Sequence, residues 1–378
     1  MKSSEGRTAG VVDLFAGAGG LGLGAVAAGA DLRLSVELDP TACVTLKGNA
    51  GPNEGVLEAD ITEVTGAMLR KKADLGRTEL LIVVGGAPCQ PFSKAAYWTE
   101  SGGEAAYRRD RAKGTATARP AAPTVPRSDA RRTLVEHFSR LVIESKADGF
   151  IFENVMAITH PRNRPMLDGL QRELANAGYK LTVVRANAVA FGVPQRRERL
   201  FVLGSKKTAP IPPTTTHRLS DHPQRSAAHL LPTPMVKTAC APFKAKRYFE
   251  PEEVISGRWA EHLRTVPAGW NYKAHTAWGG HENPTFVTET RFWNFLLKLH
   301  PDLPSWTIAA QPGPWTGPFH WTNRRLRVPE LAAIQGFPAD HSFAGTRRER
   351  VRQIGNAVPP PVAEQMVASV LDSLGLRE

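Results

Sequence analysis

Cys89 has the setting of a nucleophile. It follows Gly85-Gly86-Ala87-Pro88 and precedes Gln90-Pro91-Phe92-Ser93, so prolines stiffen the backbone on both sides of the thiol. The apolar run Leu80-Leu81-Ile82-Val83-Val84 stands just before it and reads as a buried parallel strand. Ligands of open α/β sheets sit beyond the carboxyl ends of such strands. A second run, Phe150-Ile151-Phe152, delivers Glu153-Asn154-Val155 to the same sheet edge, one strand over. A thiol beside a partly buried carboxyl suits covalent attack assisted by proton donation. Gln195-Arg196-Arg197-Glu198-Arg199 enters the last strand with arginines that can clamp an acid and a phosphate. Each piece also has a plain reading: free cysteines are usually small core residues, Glu-Asn pairs cap backbone groups, and charge runs are usually solvated faces.

A ligand-binding loop precedes these groups. Gly17-Ala18-Gly19-Gly20-Leu21-Gly22 satisfies G-x-G-x-x-G between the strand Val11–Phe15 and a helix through about Ala28. Glycines let backbone approach a ligand, and Glu37, ending the strand 32–38, can grip ribose hydroxyls. Asp60, ending a strand from Val56 to Ile61, can accept from an adenine amine or simply cap a helix. A dinucleotide and S-adenosylmethionine both present an adenosine ribose, so the loop alone selects neither.

The elements that position these groups alternate through the first two hundred residues. Strands at 80–84, 149–152, 180–186 and 199–204 alternate with helices at 130–145 and 166–177, which predicts a doubly wound α/β fold with a parallel sheet and right-handed crossovers. From about Thr208 the rhythm stops, and Pro, Thr, His and Trp become frequent. A helical pattern returns after Arg324 and ends in an amphipathic helix from Pro359 to Leu374. The expected division is a catalytic and cofactor-binding domain over 1–207, a smaller irregular domain over 208–323, and a C-terminal segment, 324–378, returning to the first. The arginine-rich stretch from Arg108 to Arg132 reads as a mobile loop.

Composition narrows the function classes. Three cysteines without a C-x-x-C pair argue against a disulfide scaffold, a cysteine-based zinc site or a thioredoxin-type motif, and no metal site is expected. No apolar run is long enough to span a membrane and the start lacks a signal-peptide core, so the expected location is the cytoplasm. A net charge of +12 favours a polyanionic partner.

Taken together, the motifs resemble the DNA (cytosine-5)-methyltransferase family. The matching segments are Asp13-Leu14-Phe15-Ala16-Gly17-Ala18-Gly19-Gly20, Pro88-Cys89-Gln90-Pro91-Phe92-Ser93, Glu153-Asn154-Val155, Gln195 to Arg199, Arg324 to Pro338, and Gln353-Ile354-Gly355-Asn356-Ala357-Val358-Pro359, in unpermuted order. The resemblance covers roughly 10–205 and 300–375. It implies an S-adenosylmethionine-dependent methyltransferase sheet of Rossmann-like form, with 208–323 as target-recognition domain. It further implies Cys89 as the nucleophile toward cytosine C6, Glu153 as the donor to N3, and Arg197 and Arg199 as contacts to the base or the acid. Phe15, Gly17, Gly19, Glu37, Asp60, Pro88 and Asn356 match cofactor-binding positions. The partner implied is double-stranded DNA with a flipped-out cytosine, in a restriction-modification setting with a cognate endonuclease and no stable complex. A monomer is the expectation. One departure is Pro329-Glu330, where the family usually has Arg-Glu; it reads as scaffold variation and weakens any expectation of polar contacts there. The alternative is an RNA (tRNA) cytosine-5 methyltransferase of the same fold, against which the sizeable middle region argues. A nicotinamide dehydrogenase would leave the cysteine, acid and arginine motifs idle, and a DNA-binding regulator would need neither Cys89 nor Glu153.

Overall fold

Seven strands form the central sheet of the computed structural model, which describes residues 8–88, 92, 103–116, 118, 129–219 and 229–377. They are β1 (Gly10–Leu14), β2 (Asp31–Glu37), β3 (Gly55–Glu58), β4 (Leu81–Gly86), β5 (Gly149–Val155), β6 (Lys180–Asn187) and β8 (Glu198–Ser205); the short β7 (Gln195–Arg196) lies outside the sheet. Their order is β3-β2-β1-β4-β5-β8-β6, so the order reverses between β1 and β4. A crevice opens at such a switch point, beyond the carboxyl ends of the strands.

The sheet is mixed, not parallel throughout. β1 to β5 pair in parallel, but β8 runs antiparallel to both β5 and β6. A parallel return needs a crossover of about a dozen residues or more. The path from Asn187 to Glu198 is spent on a 3-10 turn, Ala188–Phe191, and on β7, so the chain reverses.

Alternation along each strand feeds two apolar layers. Val12, Leu14, Val83, Phe150 and Phe152 face helices Leu134–Glu144 and Arg164–Asn176 through Phe138, Leu141 and Leu170. Val11, Ile82, Val84 and Ile151 face helices Gly20–Ala27 and Pro360–Ser373 through Leu21, Ala25, Met366 and Val367. Two glycines permit the second layer. A Cβ on Gly20 would stand 2.2 Å from the Val358 carbonyl oxygen, and one on Gly24 would stand 2.3 Å from the Ala363 Cβ. The final helix is more deeply buried than an amphipathic surface helix, because it packs against both the sheet and helix Gly20–Ala27.

Past residue 208 the chain is irregular, as expected, with short helices and 3-10 turns around its own aromatic cluster of Leu263, Tyr272, Phe286, Leu296 and Phe319. A further cluster joins Val236, Cys240, Leu299 and Ile308 to Leu331, Ile334, Val351 and Ile354, on both sides of residue 323. Residues Gly103–Ala112 form a helix, so the arginine-rich stretch begins as ordered structure. Its Ala, Glu and Arg content favours helix on its own. Residues 117 and 119–128 of that stretch lie outside the described residues.

Candidate active site

The strand ends deliver most of the expected residues to one cleft. Phe15, Gly17, Glu37, Asp60, Pro88, Glu153, Arg197, Arg199 and Asn356 all line a cavity of about 760 Å3 at the switch point. Cys89 lies outside the described residues, but its lead-in is placed. β4 pairs with β5 so that Gly86 stands opposite Glu153, and Pro88 reaches the cleft wall. The Asn154 Nδ2 donates to the Ala87 carbonyl at 3.1 Å, pinning the backbone two residues before the thiol. The other two cysteines are buried thiols: burial pushes Cys43 up to about 11 and Cys240 to about 12. Neither is a thiolate near neutrality.

Glu153 is inside β5 rather than just after it, because β8 extends the ladder to Val155 opposite Arg199. Burial raises its pKa above the usual carboxylate range, while Arg199 and Arg197 pull it back down. Arg199 Nε sits 2.9 Å from Glu153 Oε1, with both side chains largely buried. The result is a buried carboxyl whose pKa stands above the ordinary carboxylate range and which a cation keeps aimed. Gly86 makes room for it: a Cβ there would meet Glu153 Oε2 at 2.8 Å.

Arg197 works on the opposite wall. Its buried guanidinium donates to the carbonyls of Gly355 at 3.0 Å and Ala357 at 2.9 Å, tying the end of helix Arg347–Asn356 to the sheet. Gln195 adds a second tie, donating to the Gln335 side chain at 2.6 Å, and receives the Ile308 N–H at 3.2 Å. Asn356 is thereby set at the cleft, exposed at its helix end.

The loop end of the cleft is held by carboxylates. Glu37 Oε2 accepts from the Gly17 N–H at 2.7 Å, and its Oε1 accepts from the Leu38 and Asp39 N–H groups at 2.8 Å each. Phe15 takes a left-handed backbone, φ 57°, and Gly17 follows at φ 56°. Such a backbone costs a non-glycine residue of the order of 1–3 kcal/mol and is concentrated at functional sites. Asp60 lines the cleft and caps a turn rather than a helix, accepting from the N–H and hydroxyl of Thr62, which hold its pKa down. Gly19 is not in the cleft; with φ 82° it turns the chain into the helix and faces a depression near Leu46.

The roles of three residues escaped the sequence reading. Buried Asp13 accepts from the Gly22 N–H at 3.0 Å, and burial holds its carboxyl well above the usual range. Arg352 reaches across the cleft to pair with Asp39. Glu330 overturns the expectation attached to Pro329-Glu330. It is fully buried, takes Arg324 through both oxygens at 2.8 and 2.7 Å, and accepts the Arg327 N–H at 2.9 Å. Proline fits the first helical turn, where no N–H is needed, and the cation comes from upstream in the chain.

The cleft suits the donor that the loop left open. Phe15, Leu38, Ile61 and Val358 give it apolar walls, and the carboxylates of Glu37 and Asp60 stand at its edge. The model of the C-5 cytosine-specific DNA methylase family matches residues 9–109 and 126–372. The chain belongs to that family of DNA cytosine-5-methyltransferases, whose methyl donor is S-adenosylmethionine. It is 36% identical to the type II methyltransferase M.SacI of Streptomyces achromogenes, over 97% of this chain and 93% of that protein. It is 31% identical to the type II methyltransferase M.XorII of Xanthomonas oryzae pv. oryzae, over 96% and 84% of the two chains. The fold resembles the crystal structure of a prophage-encoded methyltransferase from Escherichia coli, with a TM-score of 0.62, 21% identity, and coverage of 97% of this chain and 100% of that one. No helix among the described residues is long and apolar enough to cross a membrane.

Proposed function

We propose that Cys89 and Glu153 carry the reaction on a flipped-out cytosine in duplex DNA, at one short target sequence. The observation that carries this is the pairing of Gly86 with the buried Glu153, which puts the acid beside the strand that leads into Cys89. Bound S-adenosylmethionine supplies an electrophilic methyl group. The Cys89 thiolate adds to C6, and its electron pair is accepted into the ring as Glu153 gives a proton to N3. C5 thereby becomes enamine-like and takes the methyl group. Solvent takes the C5 proton, the C5–C6 double bond re-forms as the thiolate is expelled from C6, and N3 returns its proton to Glu153. Arg199 keeps Glu153 aimed at the base, while Arg197 secures the wall that carries Asn356.

Phe15, Gly17, Glu37, Asp60, Pro88 and Asn356 bind the donor, and Gly19 shapes the loop. Residues 208–323 read the target and 324–378 return to the catalytic body. The type II relatives support a restriction-modification setting. In that setting we expect a cognate endonuclease that forms no stable complex with this chain. The enzyme acts as a cytoplasmic monomer. Bisulfite sequencing of DNA from cells expressing the chain tests this, beside a Cys89→Ala control. Protected cytosines in one short motif, absent from the control, are expected. Unprotected DNA together with methylated tRNA would move the assignment to RNA.

A further inference from the structure

A line of alternating aromatic and cationic side chains starts one residue from Arg197. The Arg196 guanidinium lies 5.4 Å from the Trp306 ring centre, across the β7 pairing with β9 (Ser305–Trp306). Trp306 meets Trp293 edge-on at 5.6 Å. The Lys273 ammonium then stands between two rings, 5.5 Å from Trp293 and 5.1 Å from Trp278. Trp270 completes the line, 6.4 Å from Trp278.

This is not the core of the region. The buried aromatic cluster around Tyr272 and Phe286 does not include these rings. Trp270, Trp278 and Trp293 are 44%, 67% and 51% exposed. Contiguous exposed apolar surface of this kind marks a contact site. Interleaved cations and a net charge of +12 select a polyanion with flat faces. Groove readout of a duplex buries base edges, which tryptophans serve poorly, whereas every unpaired base offers a face to stack.

We infer that this stripe is a stacking platform for unpaired bases of DNA, with Trp278 and Trp293 as its main rings and Lys273 and Arg196 as its phosphate partners. The inference rests on the DNA reading above. Flipping a cytosine necessarily leaves a base without its partner, so the reaction creates the ligand that the stripe fits.

The test titrates a single-stranded thymidine oligonucleotide into the full chain, following tryptophan emission and the anisotropy of a labelled oligonucleotide. The expected result is quenching by the oligonucleotide and about tenfold weaker binding for Trp278→Ala or Trp293→Ala. Trp278→Phe should recover most of the affinity, and Lys273→Gln should flatten the dependence on salt by roughly one unit of slope. Unchanged affinity for S-adenosylmethionine controls for folding. Failure of the wild-type chain to bind the oligonucleotide, or alanine variants that bind like wild type, would overturn the inference. So would a dimer in sedimentation that Trp278→Ala dissolves, which would give the face to a second copy. Absence of methyl transfer with stacking intact would sink the reading of the active site and leave this one standing.

Discussion

At the scale of single residues, the acid is the group whose environment says most. Burial raises the Glu153 pKa and the Arg199 guanidinium lowers it, so the two effects can be separated by substitution. A group that must donate a proton loses function as pH rises through its pKa. Arg199→Ala removes the cation that favours the carboxylate, so the pKa rises further and the alkaline limb of single-turnover methyl transfer should move to higher pH. A limb that stays in place, or moves down, refutes the assignment of Glu153 as donor. Gly86→Ala probes the same carboxyl sterically. The added methyl would sit 2.8 Å from Glu153 Oε2, and displacement of this size should cost about a hundredfold in turnover with donor affinity nearly kept. Rapid-quench assays with labelled donor decide it.

At the scale of elements, the close packing of helix Gly20–Ala27 on the chain around Val358 is the vulnerable contact. Gly20→Ala places a methyl 2.2 Å from a carbonyl oxygen, which no rotamer can relieve. Overpacking of this sort should destabilise by about 1–3 kcal/mol in urea unfolding and weaken donor binding as well. Unchanged stability would mean that the two segments part without cost. Much of this architecture was readable from the chain, because each motif follows an apolar run, and runs ending at one sheet edge must converge. The direction of β8 was not readable: a buried strand looks apolar whichever way it runs. The helix Gly103–Ala112 was readable in its Ala, Glu and Arg content but was masked by the arginine-rich run it opens. The contacts of Glu330 were hidden for another reason. Proline replaces the adjacent arginine, and the partner cation lies six positions upstream, on a different element.

At the scale of the whole molecule, ion pairs reinforce the apolar cluster that joins the irregular region to the rest. Glu253 pairs with Arg327 and Glu250 with Arg347 at 3.0 Å, while Glu330 with Arg324 braces the C-terminal side of that junction. Breaking a buried pair strands the other charge, so Glu330→Ala should cost roughly 3–5 kcal/mol. Glu330→Gln, which keeps an acceptor, should cost less; a Glu330→Ala variant that unfolds at the wild-type denaturant midpoint would show that the ion pair is immaterial. The cleft itself is built from both ends of the polypeptide. Glycines near residue 20 form one wall, while Asn356 and Val358 form another, braced by the last helix. Biosynthesis therefore has an order that activity must obey. A nascent chain already carries the loop, the thiol and the acid long before residue 358 leaves the ribosome, and in that interval it has nowhere complete to hold a methyl donor. If the cleft is the proposed donor site, messages cut short before that codon should yield inert polypeptide rather than a weakened enzyme.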